Sequence, residues 1–349
     1  MGEGKGNFIA GKGLGSGLVK LLGINLELSS ACNLNCYHCF RKTYIGAGKD
    51  KFLSWTALER ILPELKYLQS IDLTGWGEPL LHPEFGMFLK RLRENFNGHL
   101  SFTTNGILLD KFKIEQVLEN QVDVICFSVD ASDEYTYRRF RGEHWEDLEQ
   151  AIRNLALRKR LRGNLKPKIY ASFLLSRSRI PELMSFAVKM KELGVEGIVL
   201  QQMTGVFSLE DLKEISYSGY YNTDFNDAEL WDRLKELEQR LKGHLELILP
   251  ERIFSERQGG CGVFPLEHVF IKATGDVSPC CALGYPALLL NRKRDLRKPE
   301  TVVFGNILEH TLLEIWESPV ARAFRSEMQS KGFADACADC LGLYLRKAQ

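Results

Sequence analysis

The chain has 349 residues, 44% hydrophobic and 26% charged, the composition of an ordinary globular protein with room for a large domain and a smaller one. Its net charge of +1 gives no electrostatic case for nucleic acid or an anionic membrane as partner. No apolar run reaches the roughly 18 residues of a membrane span.

The opening "MGEGKGNFIAGKGLGSGLVKLLG" lacks the apolar stretch and cleavage site of a secretory signal, and no Gly-Lys-Ser/Thr makes it a phosphate loop. Residues 1–23 therefore read as a mobile, glycine-rich arm on a cytoplasmic protein. Next comes a strand, "GINLELSS", running straight into "ACNLNCYHCF" with Cys32, Cys36 and Cys39. Cytoplasmic thiols stay reduced, so a chain with cysteines grouped at its start and end points to metal rather than disulfides. Zinc takes four ligands, commonly from paired C-x2-C units, whereas this loop offers C-x3-C-x2-C. An iron–sulfur cubane also has four corners, and three thiolates leave one iron open for another ligand. Zinc completed by His38 or His82 is the alternative.

The chain then alternates. "TALERILPELKYL" reads as a helix, followed by "IDLTGWGEPLLHPEF", an apolar strand ending in Gly75, Trp76, Gly77, Glu78 and Pro79, with a helix from about Pro83. Gly75 and Gly77 let backbone come close to a ligand, where a Cβ would block it. "HLSFTTNGILL" is a strand that turns at Asn105-Gly106. "VDVICFSVDAS" is a nearly continuous apolar run, consistent with a strand buried on both faces, and Ser128 and Asp130 interrupt it at its C-terminal end. Mid-strand Cys126 reads as a buried small hydrophobe. Arg138, Arg139 and Arg141 follow in "YRRFRG", which read alone is as much a solvated helix end as a binding group. With "WEDLEQAIRNLALRKR", "PKIYASFLL", "IPELMSFAVKMKELG" and "VEGIVLQQM", strand and helix alternate six times over residues 24–204. This predicts an α/β fold, a partial (β/α)6 TIM-type barrel, with every polar motif at the rim where such barrels build sites.

Residues 205–255 read as a connector, whose "DAELWDRLKELEQRLKGH" has the spacing of a core-facing amphipathic helix. Residues 256–349 read as a small C-terminal iron–sulfur domain. "VFIKATGDVSPC" predicts a β-hairpin turning at Gly275-Asp276. Cys261, Cys280, Cys337 and Cys340 suffice to fill one cubane, or alternatively a zinc site. Cys281 competes with Cys280 for that role.

The cysteine loop directly after an apolar strand resembles the signature of the radical S-adenosylmethionine (radical SAM) enzymes. The Gly75–Pro79 turn resembles their GGEP motif, with Trp76 in place of a glycine, and the terminal cysteines resemble the SPASM and Twitch extensions. The resemblance implies that Cys32, Cys36 and Cys39 hold a [4Fe–4S] cluster whose open iron chelates S-adenosylmethionine. Reductive cleavage then yields a 5′-deoxyadenosyl radical that abstracts a substrate hydrogen. It implies that His38 packs near the adenine and that the turn receives the methionine amino group. Asn105, Ser128, Asp130 and Arg141 are drawn to the cofactor's ribose and carboxylate from the same rim. No cysteine follows Cys340, so one auxiliary [4Fe–4S] cluster is expected.

The resemblance thus implies an enzyme, a radical SAM oxidoreductase or maturase, served by an external flavodoxin- or ferredoxin-like one-electron reductant. Its substrate is read first as a peptide, protein or metalloenzyme undergoing maturation or modification. With the first strand near residue 24, no room is expected for a leader-binding domain, which weakens the peptide reading. The alternative is dehydrogenation of a small alcohol with the auxiliary cluster as electron acceptor. A non-catalytic iron–sulfur or zinc protein is more distant, because an electron carrier would close both clusters. No residue is singled out as the catalytic base.

Overall fold

The computed structural model describes residues 20–43, 51–258, 261, 265–298 and 300–346. The glycine-rich arm lies, but for its last few residues, outside them. Each strand of the barrel is followed by a helix with local reasons to start where it does. Strand β1 spans Gly23–Leu26 and, beyond the cysteine loop, α1 spans Trp55–Ile61, opened by the Ser54 hydroxyl accepting from the Ala57 N–H. There follow β2 (Ser70–Asp72), α2 (Phe85–Asn95), β3 (His99–Thr104), α3 (Lys111–Glu119), β4 (Val124–Ser128), α4 (Glu134–Phe140) and α5 (Trp145–Leu161). Asp110 caps α3 and Asp133 caps α4, each through its carboxylate. The repeat ends with β5 (Lys168–Leu175), α6 (Leu183–Leu193) and β6 (Gly197–Gln202), and Gly194 closes α6 at φ +89°.

Strands β1 to β6 pair in order and in parallel, the partial barrel expected. The sheet extends beyond them at both ends. In residues 205–255, past the short helix α7 (Asp211–Glu214) and α8 (Asp227–Leu241), strand β7 (Glu246–Ile248) pairs in parallel with β6. Three residues are too few for a strand period to show in sequence. At the other edge, His268–Ile271 pairs in parallel with β1 and antiparallel with Asp276–Ser278, the predicted hairpin. The C-terminal region is thereby continuous with the barrel sheet. As its spacing implied, α8 turns Leu230, Trp231, Leu234, Leu237 and Leu241 inward.

One expectation is corrected. Strand β4 is buried on one face only: Ile125 and Phe127 are fully covered, while Val124, Cys126 and Ser128 are partly exposed. The same alternation runs through β2 and β3. The helices cover one side of the sheet and the other lines an accessible lumen. Apolar Val124 and Cys126 on that lumen side hide the alternation in the sequence. Among the described residues, no helix is long and apolar enough to cross a membrane.

The C-terminal region is tied to the barrel by Glu64, whose two carboxylate oxygens accept from the Leu312 and Leu313 N–H groups at 2.6 and 3.0 Å. These open the helix Leu312–Trp316, where a negative charge is favoured. Arg60 adds a bond from Nε to the Ile307 carbonyl at 2.6 Å. Glu64→Ala strands one buried and one partly buried donor and is expected to cost roughly 2–4 kcal/mol, read from anaerobic urea unfolding. Unchanged stability would show that water replaces the carboxylate.

Candidate metal and cofactor site

Past β1 the chain crosses Glu27–Ala31 and enters the loop carrying Cys32, Cys36 and Cys39, all partly exposed. The loop is held from outside by the Tyr37 N–H donating to the Phe140 carbonyl at 2.8 Å, and from within by the Cys39 N–H to Cys36 O at 3.3 Å. Burial pushes the Cys32 thiol up to about 11 and raises Cys39 as well. Metal binding at Cys32 and Cys39 therefore displaces protons from their thiols.

The turn after β2 lies directly against this loop. The Glu78 N–H donates to the Ala31 carbonyl at 2.7 Å, one residue before Cys32. A Cβ on Gly77 would sit 2.2 Å from the Ser29 carbonyl oxygen and 2.4 Å from that of Ala31. Gly77 is thus required by contact with the cysteine loop's own backbone, a nearer constraint than approach of a ligand. Pro79 is buried at the start of the 3-10 turn Pro79–Leu81.

Glu78 is buried and spends both oxygens within the protein. Oε1 accepts from the Thr104 hydroxyl at 2.7 Å and the Leu80 N–H at 3.1 Å, and Oε2 accepts from the Asn105 N–H at 2.8 Å. Burial raises its pKa against these bonds. Its side chain braces the β2 turn against the β3 turn rather than reaching outward. Asn105 in turn donates through Nδ2 to Asn33 at 2.8 Å, inside the cysteine loop.

Asp130 and Arg141 were expected to meet a ligand side by side, and the structure pairs them with each other. Arg141 donates from Nε to Asp130 Oδ2 at 2.6 Å and also from Nη2. Asp130 Oδ1 accepts from the Leu174 N–H at 2.7 Å, on β5. Arg141 Nη1 lies 3.7 Å from Cys36 Sγ. Burial works against the Arg141 charge, and Asp130 and Cys36 together hold it in place, pKa raised. Arg138 pairs with Glu134 and Glu143 on the surface, and Arg139 sits over the Phe140 ring at 5.4 Å. Ser128, at the end of β4, stands in register with Ser172 of β5 on the lumen side.

Neither histidine joins the thiols. His38 stacks on Phe140 at 6.2 Å with Nδ1 3.8 Å from Asp211, its pKa lowered by burial. His82 is a packing residue, its Nε2 bonded to the Leu53 carbonyl at 2.9 Å and its Nδ1 accepting from the Glu84 N–H at 3.2 Å. Among the described residues, no three His, Cys, Asp or Glu side chains are arranged to hold a single ion.

The second cysteine set gathers from three segments. Cys280 is in electrostatic reach of Cys261 and Cys340, and Cys337 of the same two. A Cβ on Gly342 would lie 3.3 Å from Cys340 Sγ and 3.6 Å from Cys261 Sγ, so glycine leaves both sulfurs room. Burial pushes Cys337 up to about 12 and raises Cys280 and Cys340. Cys281 hydrogen-bonds with Trp76 and also lies in electrostatic reach of its neighbour Cys280. Four soft thiols brought together, Cys337 buried and the other three partly exposed, are the donor set an iron–sulfur cubane takes.

Sequence reasoning missed Glu27. Its Oε1 accepts from the Trp76 N–H at 2.8 Å, while Oε2 accepts from the Ala273 N–H at 3.1 Å and from the Tyr285 hydroxyl. One buried carboxylate thus joins β1, the β2 turn and the C-terminal region. Burial raises its pKa against those three bonds. The available signal was an acidic residue inside the apolar strand "GINLELSS".

Comparison with known proteins agrees with this geometry. The profile described as the radical SAM superfamily matches residues 26–160, and that of an iron–sulfur cluster-binding domain, SPASM, matches residues 261–341. The chain is 25% identical over 323 residues to a tungsten-containing aldehyde ferredoxin oxidoreductase cofactor-modifying protein of Pyrococcus furiosus, covering 90% of this chain and 86% of that one. It is 28% identical over 202 residues to a probable GTP 3′,8-cyclase of Methanococcus aeolicus, covering 56% and 62%. In fold it is similar to Streptococcus suis SuiB bound to S-adenosylmethionine, with a TM-score of 0.64 at 16% identity over 93% of this chain and 73% of that one. It is likewise similar to native anSMEcpe with bound AdoMet, with a TM-score of 0.63 at 15% identity over 93% of each.

Proposed function

We propose, for a chain that belongs to the radical SAM superfamily and carries a C-terminal SPASM domain, that it abstracts hydrogen from a bound substrate during maturation of a metalloenzyme or of the cofactor that metalloenzyme carries. The family places a [4Fe–4S] cluster, S-adenosylmethionine and auxiliary iron–sulfur chemistry on the chain. The observation that carries the finer reading is the match along nearly the whole chain to a protein named for modifying an oxidoreductase cofactor.

Bound together, the cluster and S-adenosylmethionine supply one-electron cleavage of the sulfonium and, through it, hydrogen abstraction, with the electron drawn from an external donor. The chain's own residues fit that group. Cys32, Cys36 and Cys39 would hold three corners and leave one open. The Gly75–Pro79 turn, pinned to Ala31 by the Glu78 N–H, lies against the loop that would hold the cluster. Arg141, locked by Asp130 and close to Cys36, places a fixed positive charge where an anionic carboxylate would be drawn. Cys261, Cys280, Cys337 and Cys340 would hold one auxiliary cluster.

The test is anaerobic. Iron-loaded protein with dithionite and S-adenosylmethionine is expected to form 5′-deoxyadenosine slowly without substrate. Arg141→Ala is expected to weaken S-adenosylmethionine binding about ten- to a hundredfold, the worth of a lost charge-assisted bond. Surface Arg138→Ala serves as the control and is expected to bind normally. Equal losses in both variants would remove Arg141 from the site. Absence of any 5′-deoxyadenosine from a fully iron-loaded protein would defeat the reading.

A further inference from the structure

His38 lies between Cys36 and Cys39, yet no hydrogen bond holds its ring. Both ring nitrogens are buried without a hydrogen-bond partner, and the Asp211 carboxylate stands 3.8 Å from Nδ1, beyond hydrogen-bond reach. What the ring does have is Phe140, the last residue of α4, stacked on it at 6.2 Å and 19°. The Phe140 carbonyl also accepts from the Tyr37 N–H at 2.8 Å. The next residue, Arg141, places its carbonyl oxygen 3.9 Å from Cys36 Sγ. The segment from Cys36 to Cys39 is thus held from outside chiefly by Phe140 and its neighbour.

Phe140 in turn meets a buried cation. Arg179 belongs to the 3-10 turn Arg177–Glu182 that follows β5. Its guanidinium carbon lies 4.4 Å from the centre of the Phe140 ring and 4.5 Å from that of Phe173 on β5. Phe173 is fully buried and packs on Phe186 of α6, so it forms a fixed wall. Arg179 is 3% exposed, and its Nε and Nη2 have no hydrogen-bond partner. Glu182, its ion-pair partner, stands 3.8 Å from Nε, too far for a hydrogen bond. Burial works against the charge and lowers its pKa. A buried cation with unmet donors is costly, and an apolar side chain of similar volume ordinarily serves a core as well or better. Packing alone therefore does not account for an arginine here. A planar cation adds what an aliphatic chain lacks, attraction to the faces of two rings at once.

We propose that Arg179 is a positioning residue for the first thiol loop. It ties Phe140 to the Phe173 wall and, through Phe140, fixes Tyr37 and His38 between Cys36 and Cys39. The proposal rests on the reading that this loop holds iron, and it needs no contact between Arg179 and the thiols. Arg139 provides a contrast, because it lies over the same ring at 5.4 Å but is itself exposed. A solvated cation contributes less to such a contact than a desolvated one.

The experiment follows anaerobic iron release from the reconstituted full chain into an excess of the ferrous chelator ferrozine. Cys39→Ala, which keeps only the auxiliary centre, identifies that centre's phase in the parent trace. Arg179→Met, similar in volume, is expected to speed the other phase about tenfold and to leave the auxiliary phase within about twofold. Phe140→Leu is expected to do the same. The double variant is expected to release iron no more than about twice as fast as the quicker single one, because both substitutions remove one contact. Arg139→Met is the control, expected within about twofold of the parent. Three results overturn the proposal: a parent-like first phase in Arg179→Met, an equal speeding of both phases, which marks general loosening, or a double variant whose effect is the product of the two single ones. A parent trace that holds the auxiliary phase alone strikes the reading that this loop binds iron, and the proposal with it. Two phases in the parent with unaltered variants strike the proposal only.

Discussion

Cys39→Ala is expected to abolish 5′-deoxyadenosine formation and to strip the first iron–sulfur centre from the protein. Two thiolates hold a cubane poorly, and this loop has no histidine to substitute, because His38 is turned against Phe140 and His82 is bonded to Leu53. Anaerobically reconstituted parent protein should carry about eight irons and the Cys39→Ala variant about four, from the auxiliary centre alone. Cys337→Ala should show the complementary loss: about half the iron gone, with uncoupled cleavage retained. The pair is informative because each variant reports on one centre only. Cleavage that survived Cys39→Ala would mean that the first loop does not hold the reactive centre.

The strands, helices and thiols were readable because each leaves a local trace. Apolar runs ending in polar residues mark the strands and the rim, and cysteine spacing marks the loops. What could not be read depends on distant segments meeting. Nothing in "VDVICFSVDAS" says which face is covered, since Val124 and Cys126 are apolar although they line the lumen. The Asp130–Arg141 pair could be suspected of acting at one site, but not of binding each other, because that needs the backbone at Asp130 to turn through φ +58°. Cys280 and Cys281 are neighbours in sequence and chemically alike. Only the position of Trp76 on one side and Cys261 with Cys340 on the other divides them. Glu27 was the hardest to see, since its three partners come from residues 76, 273 and 285.

The two glycines of the β2 turn should fail differently when filled, although they lie two residues apart. A side chain at Gly77 meets backbone, with the Ser29 and Ala31 carbonyl oxygens at 2.2 and 2.4 Å and the Ser30 carbonyl carbon at 2.6 Å. Backbone cannot swing aside, so Gly77→Val must part the turn from the loop that begins at Cys32. Loss of about half the iron and of all 5′-deoxyadenosine formation is expected, the same signature as Cys39→Ala. A side chain at Gly75 meets instead the Glu27 side chain, Cγ at 2.3 Å and Oε1 at 2.5 Å. Glu27 can rotate away, but only by abandoning the Trp76 and Ala273 N–H groups and the Tyr285 hydroxyl in a buried place. Gly75→Val should therefore keep the iron of the first loop and lose roughly 2–5 kcal/mol of stability, seen as a lower urea midpoint of the iron-loaded protein. Glu27→Ala should reproduce that loss without crowding the turn, since it orphans the same three donors. If Gly75→Val instead shed iron like Gly77→Val, the turn would be moving as one rigid piece, and Glu27 would be following it rather than holding it.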